Sequence, residues 1–193
     1  RPLKNVFYHN AIDVVSLAVL MNHMAALLSK PIEKSQGNGV DLLALARLFE
    51  DLNDIDVATQ LYLHGLELAT RSENDLPTDI LVDAIQRLAQ IYKRQGNFSA
   101  AIPLWEKATQ YGQLPAFLEL AKFFEHRSGE YENALNWCDQ AIQAIQNSEN
   151  LWQGRTNLSP YLRAQWLDEL QHRTKRLHRK MINTDESRNS QNS

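Results

Sequence analysis

Apolar positions in this chain recur at steps of three and four residues, and alternating stretches are hard to find, so the pattern predicts helices and no sheet. From about His9 to Leu28 the stretch around Val14-Val15-Ser16-Leu17-Ala18-Val19-Leu20-Met21 is apolar on most sides, as expected of a helix covered by more than one neighbour. Lys30-Pro31 and then Ser35-Gln36-Gly37-Asn38-Gly39 interrupt the pattern and mark residues 31–39 as a linker. After Asn147 the chain turns polar across residues 148–159, and Ser159-Pro160 then opens a last helix through Leu162, Trp166, Leu167, Leu170, Leu177 and Met181. Residues 183–193 are polar and predicted to be a disordered tail.

Between linker and loop, over residues 40–147, one spacing returns three times. Ala46 is followed by Phe49, Ala58, Tyr62 and Gly65; Ala89 by Tyr92, Ala101, Trp105 and Ala108; and Ala121 by Phe124, Ala134, Cys138 and Ala141, the last set with one extra residue in the turn. Small residues at such positions let two antiparallel helix axes approach closely while larger side chains interlock around them. Asn53-Asp54, Gly96-Asn97 and Ser128-Gly129 stand where each pair of helices needs a left-handed residue or a cap. The pattern resembles the tetratricopeptide repeat. The resemblance implies an all-α, right-handed solenoid of three helical hairpins, with residues 1–30 as an extra N-terminal helix and residues 160–182 as a capping helix. The excess length between the first and second sets falls around Arg71 to Thr78 and reads as an extended loop or lengthened helices.

Composition narrows the partners only a little. With 44% apolar residues, 22% charged residues and a formal charge of -3, the chain lacks the basic balance of a dedicated nucleic-acid binder. Its single cysteine, Cys138, can form no internal disulfide and reads as a small buried hydrophobe, which points to a reducing, cytoplasmic setting. No apolar run approaches the roughly 20 residues needed to span a bilayer, so no membrane partner is expected. The chain does not begin with methionine and its first helix starts almost at once, which suggests the C-terminal side of a longer protein.

Three sets of residues carry candidate chemistry. Tyr8-His9-Asn10-Ala11-Ile12-Asp13 resembles the last motif of the ribonuclease-H-like, DnaQ-type 3′ to 5′ exonucleases, and with the repeats downstream the chain resembles bacterial exonuclease-like proteins with a tetratricopeptide tail. The resemblance implies that in a full-length enzyme Asp13 is a ligand for magnesium or manganese and that His9 or Tyr8 orients the attacking water. Two-metal hydrolysis needs several convergent carboxylates, so this chain by itself is expected to be inactive and without a cofactor, and within it His9 and Asp13 read first as a surface or cap pair. The repeat resemblance also places Arg47, Gln86, Gln90, Lys93, Arg94, Lys122 and His126 on a concave face, with Leu43, Glu50, Asp51, Leu118 and Glu125 beside them. Such a face fits a protein partner or an acidic peptide, or is a solvated mixed-charge surface. Finally, Arg173, Lys175, Arg176, Arg179 and Lys180 follow one another without an acidic residue, which suits nucleic-acid phosphates or simply opposes a helix dipole. The functional readings are therefore an interaction scaffold on an exonuclease, a stand-alone regulatory adaptor, or a nucleic-acid-handling module, as a monomer or weak dimer.

Overall fold

A computed structural model describes residues 2–35, 38–71, 76–151 and 159–191. Among them there is no strand, and the fold is all-α and tetratricopeptide-like. The elements are α1 (Pro2–Ser29), α2 (Pro31–Lys34), α3 (Gly39–Asp51), α4 (Ile55–Arg71), α5 (Thr78–Arg94), α6 (Phe98–Gln110), α7 (Leu114–Phe123), a π-helical turn (Phe124–Ser128), α8 (Tyr131–Leu151) and α9 (Pro160–Gln191). The chain divides into two units, Arg1–Ile91 and Tyr92–Ser193, with the boundary inside α5.

In the first unit, α3 begins where Asn38 caps it, its side-chain oxygen accepting from the backbone N–H of Val40 at 3.0 Å. The helix ends because Asn53 takes a left-handed conformation, φ 62°, and the Asp54 N–H then donates to the Phe49 carbonyl at 2.9 Å. This tight turn folds α4 back along α3. The close approach is visible at Gly65: a Cβ there would lie 2.6 Å from Leu43 Cδ2 and 2.9 Å from its Cγ. Leu42, Leu43, Ala46, Ala58, Leu61 and Tyr62 are buried around this contact, and Val82, Ile85 and Leu88 are buried along α5.

In the second unit the Gly96-Asn97 turn repeats the device: Gly96 has φ 73°, Asn97 N–H donates to the Tyr92 carbonyl at 2.9 Å, and its side chain caps α6 through Ala100 N–H. The third turn absorbs its extra residue by widening. After α7 the backbone makes one π-helical turn, Gly129 takes φ 74°, and the Phe124 carbonyl accepts from Glu130, six residues on instead of five. Leu114, Phe117, Ala121, Ala134, Cys138, Ala141 and Ile145 form one core with Leu170 and Leu177 of α9, so α9 does cover the last hairpin. Burial, the dominant influence, pushes the Cys138 thiol up to about 11, which fits a packing role and not a reactive one.

All nine small residues of the repeating pattern are buried. Elsewhere the structure departs from the sequence reading. The linker contains the short helix α2, α8 runs on to Leu151, and α9 continues to Gln191 where a disordered tail was expected. Residues 72–75, inside the expected extended loop, and 152–158, inside the expected polar loop, lie outside the described residues.

The packing of the first helix, which the sequence left open, is settled as exposure within its unit. Every residue from Val6 to Ala25 is exposed, among them Phe7 at 68% and Met21 at 69%. By length and composition Val6–Ser29 is also apolar enough to cross a membrane, with mean hydropathy 1.8. Counting uninterrupted runs misses this, because His9, Asn10, Asp13, Asn22 and His23 break the stretch without lowering its average far enough.

Replacing Gly65 by valine forces two methyl groups into the space held by Leu43, and we expect a loss of about 2 kcal/mol in urea denaturation. Adding Leu43→Ala to Gly65→Val should cost less than the two single losses together, because the cavity accepts the new side chain.

Candidate functional site

Tyr8, His9 and Asp13 all lie on the exposed part of α1. Asp13 follows His9 by one helical turn, so the two share a face, and the Tyr8 and His9 rings meet edge-on with centroids 6.3 Å apart. Among the described residues no group of three or more histidine, cysteine, aspartate or glutamate side chains is placed to hold a metal ion. One aspartate beside one histidine does not satisfy a two-metal centre, which needs further carboxylates. These residues therefore do not fit such a centre by themselves.

The residues expected on a concave face fall in both units. In the first, Arg47 on α3 and Gln90 on α5 are exposed and Gln86 is half-buried. A cleft of about 390 Å³ opens between α3 and α5, with Val40, Leu43, Ala44, Ile80 and Ala84 as its apolar lining. Its polar wall is tied together. The Tyr62 hydroxyl donates to Glu50 at 2.8 Å, Arg87 Nη1 donates to the same Glu50 oxygen at 3.2 Å, and Arg87 Nε donates to Asp83 at 2.9 Å. Burial and the bond to Glu50 push the Tyr62 phenol well above its ordinary range, so it stays a donor.

In the second unit Lys93 and Lys122 both reach Glu119, at 2.5 and 3.1 Å. Burial opposes ionisation of Glu119, but these two lysines outweigh it and hold its pKa below the usual range. Arg94 is exposed and in no ion pair among the described residues. His126 lies 3.5 Å from Glu125, whose side chain is fully buried.

Glu125 also gathers three of the five residues of the basic C-terminal set. Arg173 Nη1 donates to Glu125 Oε2 at 2.6 Å, Arg176 donates bidentately at 2.8 and 2.7 Å, and Lys180 Nζ donates to Oε1 at 2.9 Å. Arg173 is itself buried. Only Lys175 and Arg179 of the set are turned outward without an ion pair among the described residues. Arg173, Arg176 and Lys180 thus form a charged clamp that fastens α9 to the π-helical turn.

The repeat register gives this clamp a logic that sequence alone offered and the sequence reading missed. Glu50 stands four residues after the crossing residue Ala46, and Glu125 four after Ala121. Each receives guanidinium groups from a helix later in the chain, Arg87 of α5 or Arg173 and Arg176 of α9. In the second repeat the same slot holds Lys93, and the charges are inverted: the lysine reaches forward to Glu119 on α7.

Comparison with known proteins agrees with this register. Residues 82–111 match the tetratricopeptide-repeat family model, so the chain carries the repeat of a class of helical scaffolds that generally mediate protein–protein interaction. The chain is also similar to the uncharacterized protein YprB of Bacillus subtilis (strain 168), with 32% identity over 148 residues, covering 72% of this chain and 33% of YprB. It therefore spans about a third of the length of the curated relative it matches.

Removing the buried carboxylate leaves Arg173 buried without its counter-charge, so Glu125→Gln should lose about 3 to 5 kcal/mol in chemical denaturation. Burial tends to raise the Glu125 pKa, yet the bonds from Arg176 and Lys180 prevail and lower it from 4.5 to about 2. A carboxylate depressed by folding stabilises fully above its unfolded pKa and progressively less as pH falls toward the folded one. The wild-type chain should accordingly lose stability between about pH 4.5 and 2 more steeply than Glu125→Gln, as read from acid titrations of helical circular dichroism.

Proposed function

We propose that this chain is a protein-binding repeat module joined through α1 to a ribonuclease-H-like 3′ to 5′ exonuclease domain of the same, longer polypeptide, and that it is not a nuclease by itself. The observation that carries the reading is α1: a helix with every position from Val6 to Ala25 exposed and most of them apolar has no cover in its own unit. Burying apolar surface is worth about 25 cal/mol per Å², so such a helix is stable in water only against another body. Asp13 and His9 favour a protein neighbour over lipid, because an aspartate near the bilayer centre costs about 2.5 to 3.5 kcal/mol on insertion scales. The resemblance of Tyr8-His9 to Asp13 to the last exonuclease motif supplies the kind of domain, and the match to a third of a longer relative accords with a larger protein.

In this reading Asp13 contributes one ligand to a magnesium or manganese site whose other carboxylates come from the covering domain. The repeats hold a protein partner, and the outward Lys175 and Arg179 are the part of the basic set still open to nucleic-acid phosphates. A cytoplasmic location follows from the same reading.

The whole protein, supplied with manganese, should shorten single-stranded nucleic acid from its 3′ end, and Asp13→Asn should reduce the rate by at least about 100-fold. The 193-residue chain alone should show no such activity. Metal-dependent hydrolysis by the isolated chain, or unchanged activity in the Asp13→Asn whole protein, would overturn the assignment. Partition of the whole protein into phospholipid vesicles through α1 would replace domain cover by membrane insertion.

A further inference from the structure

We infer that the cleft between α3 and α5 is an anchor pocket for a short extended peptide of mixed charge, one that inserts an aliphatic side chain between an acidic residue held by Arg47 and a basic residue held by Asp79. The inference rests on the scaffold reading and deepens it, because it names the chemistry of the partner and departs from the purely acidic peptide that the sequence suggested.

The size of the cleft comes first. At about 390 Å³ it lies at the small end of ligand pockets, which run from about 300 to 1,000 Å³, so it suits one anchoring side chain with adjacent backbone and not a bulky ligand. Its lining is mostly aliphatic, from Val40, Leu43, Ala44, Ile80 and Ala84. An aliphatic side chain gains by entering it, whereas a charged one loses hydration without finding a partner there.

Charge decides the rest. Three charged side chains line the cleft, and one is already satisfied: Asp83 pairs with Arg87, which also pairs with Glu50 behind it. Because Glu50 also takes the Tyr62 hydroxyl, that wall is fixed before any ligand arrives. The open charges are Arg47 and Asp79, one on each helix, both exposed and neither in an ion pair among the described residues. A ligand bearing only carboxylates would meet Arg47 but be repelled by Asp79. A ligand bearing both signs about an apolar centre meets a complementary partner on each helix, and such charge-assisted contacts are the stronger kind of hydrogen bond. Opposite open charges also reject the wrong order of residues, which gives orientation as well as affinity.

The test uses the intact 193-residue chain, labelled for amide NMR, titrated with blocked five-residue peptides: a central leucine with glutamate and lysine at the ends in both orders, the same leucine with two glutamates, and the mixed-charge ends about a central glycine. One mixed-charge order should bind with shifts centred on Val40, Ala44, Ile80 and Ala84, and the two-glutamate and glycine-centred peptides should bind at least about tenfold more weakly. Arg47→Glu and Asp79→Lys, both at exposed sites, should each weaken the preferred peptide, and the double variant should reverse the preferred order of ends. Shifts confined to Lys122 and His126, or affinity indifferent to the leucine and to the charges, would overturn the pocket and leave the scaffold reading standing. No shift with any of the peptides, together with failure of the whole protein to retain any protein partner, would overturn both.

Discussion

The close approach of antiparallel helices at glycine and alanine is the constraint on which the rest of this structure depends. At Gly65 there is no room even for a Cβ beside Leu43, and Ala46, Ala58, Ala89, Ala101, Ala121 and Ala134 are wholly shielded from solvent. Dense packing of this kind is felt at the scale of a methylene, so the small residues fix how the larger ones interlock and where each helix presents its outward face. The left-handed residues Asn53 and Gly129 serve the same constraint from the turns: each closes a helix abruptly enough that the next one returns beside it.

Upon that frame the charged residues are laid in register. A carboxylate four residues past the crossing alanine meets arginines from a later helix, at Glu50 and again at Glu125. The fully buried carboxylate of Glu125 is surrounded by more positive charge than it can balance, with Arg173, Arg176 and Lys180 all within hydrogen-bonding distance. Losing the carboxylate would leave Arg173 buried without a counter-charge, which makes the cluster a device for position more than for net stability. It explains why α9 docks where it does: Leu170 and Leu177 supply the apolar contact, and the cations on the adjoining face fix the angle of approach.

Much of this frame was legible in the chain. The repeat spacing located nine of the buried small residues and the three turns, because close packing leaves a strong mark on residue size at fixed intervals. The extra residue of the third set was visible too, although its solution as a π-helical turn was not, since an insertion can be absorbed in several backbone forms. What the chain did not disclose was long-range. Arg173, Arg176 and Lys180 look like a free basic stripe until Glu125 is brought to them from about fifty residues away. In the same way Lys93 and Lys122 look like an open basic groove until Glu119 is placed between them, and the exposure of α1 depends on what does not pack against it. For the cleft of the first unit, Arg47 was identified from the sequence, whereas Asp79 entered only with the geometry of α5.

The most direct measurement of the central claim is a through-space proton contact between the α protons of Gly65 and the methyl groups of Leu43, read from nuclear Overhauser spectra of the methyl-labelled chain. A strong cross-peak is the result this account predicts, because the two groups are in van der Waals contact. A missing cross-peak, with both resonances assigned and sharp, would mean that α3 and α4 do not meet at the small residue, and the packing described here would be wrong.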